Sequence, residues 1–177
     1  MRLLILTAAL VFPMAAYAAG SSDSSPPKPT ETTKVCKEGK IWDKQTKTCV
    51  DARESRIDDD TRYAAVRELA YAGEYDEALY VLATMSNQNE SRVLTYYGFA
   101  HRKAGRAYTG MQYYRAALKV DPDNILARSY MGQGLVAAGG IDAARVQLAE
   151  IQARGGRDSW PEVSLRKAIE TGINEDY

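Results

Sequence analysis

The sequence predicts an all-α protein built from repeated pairs of helices, and three observations lead to this prediction. Glycines recur at a period of about 34 residues, so that Gly98 matches Gly132 and Gly105 matches Gly139. Apolar residues between them recur at three- and four-residue spacing, which is the period of one helix face. Pro122 interrupts this pattern, because a proline cannot continue a helix. We therefore expect helix-turn-helix units that stack along the chain.

The first 35 residues are not expected to belong to this helical part. Residues 1–18 combine a positive charge, an apolar run and a small-residue ending, which is typical of a secretory signal peptide cleaved after Ala18. Pro13 argues against a permanent membrane anchor. Residues 19–35 are rich in Ser, Thr and Pro and predict a disordered tether. We expect an exported protein of the bacterial periplasm with no membrane span after cleavage.

Cys36 and Cys49 are expected to form a disulfide, since export brings them into an oxidising compartment. The residues between them predict a small hairpin, so that residues 36–50 form a disulfide-closed loop. This loop resembles the hairpin half of small chitin-binding modules, in which an aromatic residue stacks on a sugar ring. The resemblance implies that Trp42 contacts a glycan. The alternative, which we favour because the other cysteines of such modules are missing, is that Trp42 packs over the disulfide.

Three helix-turn-helix units are predicted, at residues 59–90, 91–124 and 125–156. Each contains two apolar helical stripes separated by a glycine turn. Gly98 and Gly110 lie where the two helices of the middle unit are expected to cross, and Gly132 is expected to play the same part in the third. A side chain at such a crossing would push the helix backbones apart.

A capping helix is predicted at residues 159–172, because the last unit would otherwise leave an apolar face uncovered. Ser159 and Glu162 have the spacing of a capping box, and Pro161 falls in the first turn, where its missing N–H does no harm. Gly172 is expected to end the helix. Trp160 is interpreted as a cover for the last repeat rather than as a ligand site.

The middle unit resembles the tetratricopeptide repeat (TPR) family in Gly98, Gly110, Tyr114, Ala117 and Pro122, and the resemblance extends from residue 59 to about 155. It implies a right-handed α-solenoid whose first helices line a concave groove that holds an extended peptide or a partner helix. By position, the groove residues would be Tyr63, Arg67, Tyr71, Tyr96, Phe99, Arg102, Lys103, Tyr130 and Gln133. This aromatic and basic set favours an acidic partner with apolar anchors. The alternative is that several of these tyrosines only cover joints between helices.

Charge is distributed unevenly along the units. Residues 57–90 carry eight acids and two bases, a difference of −6, whereas residues 91–120 carry six bases and no acid, which gives +6. Such blocks indicate either steering of a charged partner or self-association of copies, acidic part to basic part.

Composition argues against several classes of function. The chain has 177 residues, and its 23 basic and 23 acidic side chains leave no net charge to attract nucleic acid. One His and two Cys are too few for an ordinary zinc site, and no nucleophile or phosphate-binding motif is present. We expect no catalytic residues and no cofactor. The sequence favours an exported protein-binding scaffold. The alternative is a glycan- or cell-wall-binding protein that uses the Cys36 to Cys49 loop.

Overall fold

The computed structural model describes residues 25–172, which are mostly helical. The predicted signal peptide and the beginning of the predicted tether lie outside the described residues. The described elements are α1 (Glu31–Lys34), β1 (Lys40–Asp43), β2 (Thr48–Asp51), α2 (Asp59–Tyr71), α3 (Tyr75–Leu82), α4 (Ser91–Lys103), α5 (Ala107–Val120), α6 (Ile125–Ala137), α7 (Ile141–Ala153) and α8 (Trp160–Thr171). Among residues 25–172, none of the helices combines the length and the apolar composition needed to cross a membrane.

The disulfide-closed hairpin predicted at residues 36–50 is confirmed. Strands β1 and β2 pair antiparallel, with Trp42 directly opposite Cys49, and Cys49 is disulfide-bonded to Cys36. The carboxylate of Asp43 accepts hydrogen bonds from two residues of the connecting turn. This carboxylate therefore stabilises the turn that joins the two strands.

The hairpin belongs to the same packed body as the helices that follow it. Ile41 and Val50 are buried in one apolar core with residues of α2, α3 and α4. Arg62 of α2 is only 9% exposed, and it donates hydrogen bonds to the carbonyl oxygens of Ala52, at 2.7 Å, and Glu54, at 3.0 Å. Because a buried guanidinium is costly without partners, these bonds hold the segment after β2 against α2. The hairpin thus covers the N-terminal side of the first helix pair.

The prediction of a disordered tether up to residue 35 is wrong for its last part. Glu31–Lys34 form the short helix α1, and the side chain of Thr30 caps its N-terminus. The carboxylate of Glu68 in α2 is buried and accepts hydrogen bonds from the amide of Thr30 and the hydroxyl of Thr33, both at 2.6 Å. Composition did not indicate this order, because polar bonds to one buried carboxylate hold the segment in place of apolar contacts.

Each predicted repeat span contains one pair of contacting helices: α2 with α3, α4 with α5, and α6 with α7. The close crossing predicted at Gly98 and Gly110 is confirmed, since a Cβ on Gly110 would lie 2.7 Å from the carbonyl oxygen of Gly98. Gly132 makes a different contact from the one expected. A Cβ there would lie 2.6 Å from a methyl group of Leu165 in α8, so Gly132 makes room for the last helix rather than for α7.

The predicted limits of the last helix agree with the structure. The Ser159 hydroxyl accepts a hydrogen bond from the Glu162 amide at 3.4 Å, and Gly172 follows the helix with a φ of 69°. The Glu162 carboxylate does not complete the capping box. It accepts a hydrogen bond from Gln152 of α7 at 3.0 Å instead. Helix α8 contacts both α6 and α7. It therefore covers the last helix pair.

Successive pairs contact one another through their first helices, α2 with α4 and α4 with α6, and also through α3 with α4 and α5 with α6. Two ion pairs join the first helix pair to the second, Arg92 to Asp60 at 2.7 Å and Arg106 to Asp76 at 3.2 Å. The acidic and basic blocks of the sequence therefore partly neutralise each other within one molecule. This reduces the charge that remains for contacts between copies.

Candidate functional site

Aromatic side chains from the first helix of each pair form one cluster, which we call the aromatic cluster. Its members are Tyr63 and Tyr71 of α2, Tyr96 and Phe99 of α4, and Tyr130 of α6. The ring centroids of Tyr63 and Tyr96 are 5.4 Å apart, and that of Phe99 is 5.5 Å from Tyr71 and 4.8 Å from Tyr130. The hydroxyls of Tyr71 and Tyr130 are hydrogen-bonded to each other. Each ring pair stabilises by about 0.5–1.5 kcal/mol beyond its buried area, so the cluster ties α2, α4 and α6 together.

Trp160 of α8 joins the aromatic cluster. Its ring centroid is 6.3 Å from that of Tyr130 and also 6.3 Å from that of Tyr71. The contact with Tyr130 agrees with the predicted role of a cover for the last repeat. The contact with Tyr71 was not predicted, because no sequence pattern links a residue of the last helix to one in the first pair.

The structure divides the nine predicted groove residues into two groups. The buried group, at most 4% exposed, contains Tyr63, Tyr96, Phe99, Tyr130 and Gln133. The half-buried group contains Arg67, Tyr71, Arg102 and Lys103. Contrary to the prediction, four of the buried five do not line an open surface, and Phe99 only borders the small cleft described below. Their side chains pack between helices, which agrees with the alternative that several of the tyrosines cover helix joints.

Two of the polar groove candidates make contacts between helices. The side-chain amide of Gln133 donates a hydrogen bond to the Ser164 hydroxyl of α8 at 3.2 Å. The Nε of Arg102 donates to the hydroxyl of Tyr114 in α5 at 3.3 Å. These bonds give both residues a structural role at the joints between helices α4, α5, α6 and α8.

Arg67 connects the aromatic cluster to the segment that precedes α1. Its Nε donates a hydrogen bond to the hydroxyl of Tyr96 at 3.3 Å, and its Nη2 donates to the backbone carbonyl oxygen of Ser25. One guanidinium thus contacts both the cluster and an approaching stretch of backbone.

A cleft of about 250 Å³ opens beside the aromatic cluster and is called the α2–α4 cleft here. It is lined by residues 70–73 at the end of α2 and by Tyr75, Phe99 and Lys103. Its volume is below the roughly 300–1,000 Å³ typical of small-molecule sites, so it suits one or two side chains of a partner. Sequence reasoning placed Tyr71, Phe99 and Lys103 on one face but missed Tyr75. The sequence signal for Tyr75 was its position just after the glycine turn, which brings it next to the end of α2.

Burial in the aromatic cluster changes the titration of the Tyr130 phenol. Burial, followed by the neighbouring hydroxyls of Tyr96 and Tyr71, raises the pKa of Tyr130 well above its ordinary value of 10.0. The Tyr130 phenol therefore stays protonated at neutral pH.

The single histidine lies on another surface. His101 is half-buried, and its ring stacks on that of Tyr113 at 5.4 Å. Its Nδ1 accepts a hydrogen bond from Arg106 at 2.8 Å. Burial and then the charge of Arg106 lower the pKa of His101 from its ordinary 6.5, so the ring is neutral at pH 7.

A second cleft, of about 300 Å³, lies where the hairpin, α1 and α2 meet. Its lining includes Trp42, Thr30, Lys44 and Asp60. Trp42 is half-buried, and its backbone N–H donates a hydrogen bond to the Thr32 hydroxyl at 3.2 Å. Trp42 therefore borders an open cleft besides lying opposite Cys49.

Comparison with known proteins adds no relative to this description: no family model matches the chain, and neither the curated proteins nor the solved structures contain a match. The fold therefore defines this chain only as a mostly helical protein with a disulfide-closed hairpin packed on its first helix pair.

Proposed function

We propose that this protein is an exported TPR scaffold that binds a peptide segment of a protein partner at the face formed by α2, α4 and α6. The observation that carries the proposal is the position of the α2–α4 cleft. It lies directly beside the aromatic cluster, and Phe99 contributes to both. A partner side chain that enters the cleft would therefore rest on a rigid aromatic base.

The helix arrangement supports the TPR part of this proposal. Helices pair within the spans predicted from the 34-residue period, and the first helices of successive pairs contact one another. Small residues lie at the close crossing of α4 and α5, as the family pattern requires. The disulfide supports export, since disulfides persist in oxidising compartments such as the periplasm.

The lining of the cleft favours a particular ligand chemistry. Tyr71, Tyr75 and Phe99 offer apolar surface for an aliphatic or aromatic anchor of the partner. Lys103, on the same rim, favours a carboxylate next to that anchor, and a half-buried charge pair is less screened than an exposed one. We therefore propose an extended partner segment that carries an apolar anchor beside an acidic residue.

Selection of peptides from a phage-displayed library tests this function. We expect the selected peptides to share an apolar residue next to Asp or Glu, and Lys103→Glu to weaken their binding about tenfold or more. Lys119→Glu is the matched control, because Lys119 is an exposed lysine of α5 and the charge change is the same. Equal affinity of the Lys103→Glu variant and the unchanged protein would refute the proposed site.

The second candidate is binding of cell-wall glycan by the hairpin, favoured by the open cleft beside Trp42. Co-sedimentation with insoluble cell-wall material distinguishes it from the first. If the hairpin is the binding part, Trp42→Ala abolishes sedimentation and Lys103→Glu leaves it unchanged.

A further inference from the structure

We propose that the face formed by α2, α4 and α6 is occupied by the chain's own N-terminal segment, residues 19–29, which a partner must displace. The intramolecular contact does not depend on the function proposed above. Its consequence for partner binding rests on that function.

The segment is anchored at its C-terminal end. Glu68 is 6% exposed, and its carboxylate accepts hydrogen bonds from the amide and the hydroxyl of Thr30 and from the amide and the hydroxyl of Thr33. Hydrogen bonds to a buried carboxylate are stronger than those between neutral groups. The anchor therefore fixes where the segment leaves α2.

From this anchor, the chain runs back to Arg67, the neighbour of Glu68 on α2. Pro26, Pro27 and Pro29 keep the backbone between Ser25 and Thr30 extended, so little slack remains. The carbonyl oxygen of Ser25 accepts a hydrogen bond from Arg67, whose Nε donates to the hydroxyl of Tyr96 on α4. Ser25, the first described residue of the chain, thus lies at the edge of the aromatic cluster.

The remaining length and charge suit the face. Six residues, 19–24, separate Ser25 from the expected cleavage point, and fully extended they span about 20 Å. Packed helices lie about 8–10 Å apart, so this length reaches from α2 across α4 to α6. The side chains of residues 19–25 are small. The one charged side chain among them, Asp23, is opposite in charge to Arg67 and Lys103 and lies nearer to Ser25 along the chain than the α-amino group that cleavage would leave at residue 19.

An occupant tethered in this way competes strongly with a partner. A short tether gives an effective concentration on the order of millimolar, so even a weak intramolecular contact lowers the apparent affinity for a partner peptide. Removal of residues 19–24 is therefore expected to raise that affinity, while the anchor at Glu68 stays intact.

Paramagnetic relaxation enhancement in the chain of residues 19–177 tests the contact. The described cysteines are both in the disulfide, so Ser21→Cys provides a thiol for a nitroxide label. We expect the label to cause loss of the amide signals of α4 and α6 around Phe99 and Tyr130. Asp23→Lys is expected to restore much of this intensity. The same labelled protein after reduction of the nitroxide with ascorbate is the control and should show full intensity at these amide signals.

The two outcomes separate this inference from the proposed function. Full amide intensity in α4 and α6 with the Ser21 label, or the same signal loss with and without Asp23→Lys, would overturn the intramolecular contact. A different result would be signal loss at these helices together with equal affinity of library-selected peptides for the chains of residues 19–177 and 25–177. The signal loss would support the intramolecular contact, and the equal affinity would refute the shared binding face on which the proposed function rests.

Discussion

The substitution Gly110→Ala tests the closest helix crossing in the molecule's middle pair. An added Cβ would lie 2.7 Å from the carbonyl oxygen of Gly98, 2.9 Å from the Cβ of Arg102 and 3.0 Å from its backbone nitrogen. Two of these three atoms belong to the backbone of α4, and the third is attached directly to it. The clash therefore cannot be relieved by rotation of a side chain, and the two helices must move apart.

Two opposing terms determine the size of the effect. Alanine is favoured over glycine in a helix interior by about 1 kcal/mol. Overpacking costs about 1–3 kcal/mol, and a clash with backbone lies at the upper end of that range. We expect Gly110→Ala to lower the free energy of unfolding by about 2 kcal/mol. For a protein of this size, that corresponds to a fall in Tm of about 4–8 °C.

Urea denaturation followed by circular dichroism measures this change. Gln112→Ala is the matched control, since Gln112 is exposed on the same helix, and its free energy of unfolding should stay within about 0.5 kcal/mol of the original. The dependence of the free energy on urea should be the same for both variants. A Gly110→Ala protein as stable as the original would show that α4 and α5 do not cross at this glycine.

Three further changes probe the N-terminal part. Burial acts to raise the pKa of Glu68, but the hydrogen bonds from Thr30 and Thr33 outweigh it and hold the pKa below 4.5. Their stabilisation is complete above pH 4.5 and is lost as pH falls through the lowered pKa, so the hydrogen-exchange protection factors of residues 30–34, taken relative to the unfolded chain at the same pH, should fall there. Glu68→Gln should remove this pH dependence. Replacing both Cys36 and Cys49 by Ser should cost about 3 kcal/mol in denaturant titration, and an unchanged midpoint would contradict this. Arg62→Leu should cost about 2–3 kcal/mol and accelerate exchange in β2, whereas protection equal to the original would exclude its role at the hairpin.

Features set by neighbouring residues were predictable from the sequence. The hairpin arms, the Ser159 cap and the left-handed Gly172 each depend on residues a few positions apart. The tight crossing at Gly98 and Gly110 was also predictable, because the helix-turn-helix pattern of the middle unit places these two glycines at facing positions. The order of residues 30–34 was not, since its cause is a carboxylate 38 positions away from Thr30.

The candidate site also has one part that was predictable from the sequence and one part that was not. The sequence placed Tyr71, Phe99 and Lys103 on one face, and the structure brings them to one cleft. It could not show that Tyr96 and Tyr130 are buried, because burial depends on how closely three separate helices approach.

The sequence alone predicted the spans of the three helix pairs, the limits of the last helix, the disulfide and the glycines that allow a close crossing, since local backbone preferences and short-range spacing control these features. Only the tertiary structure decided that Trp160 meets Tyr71, that the hairpin packs on α2 and that a cleft remains beside Phe99. These contacts join residues far apart in the chain, and their geometry follows from the packing of whole helices rather than from any local pattern.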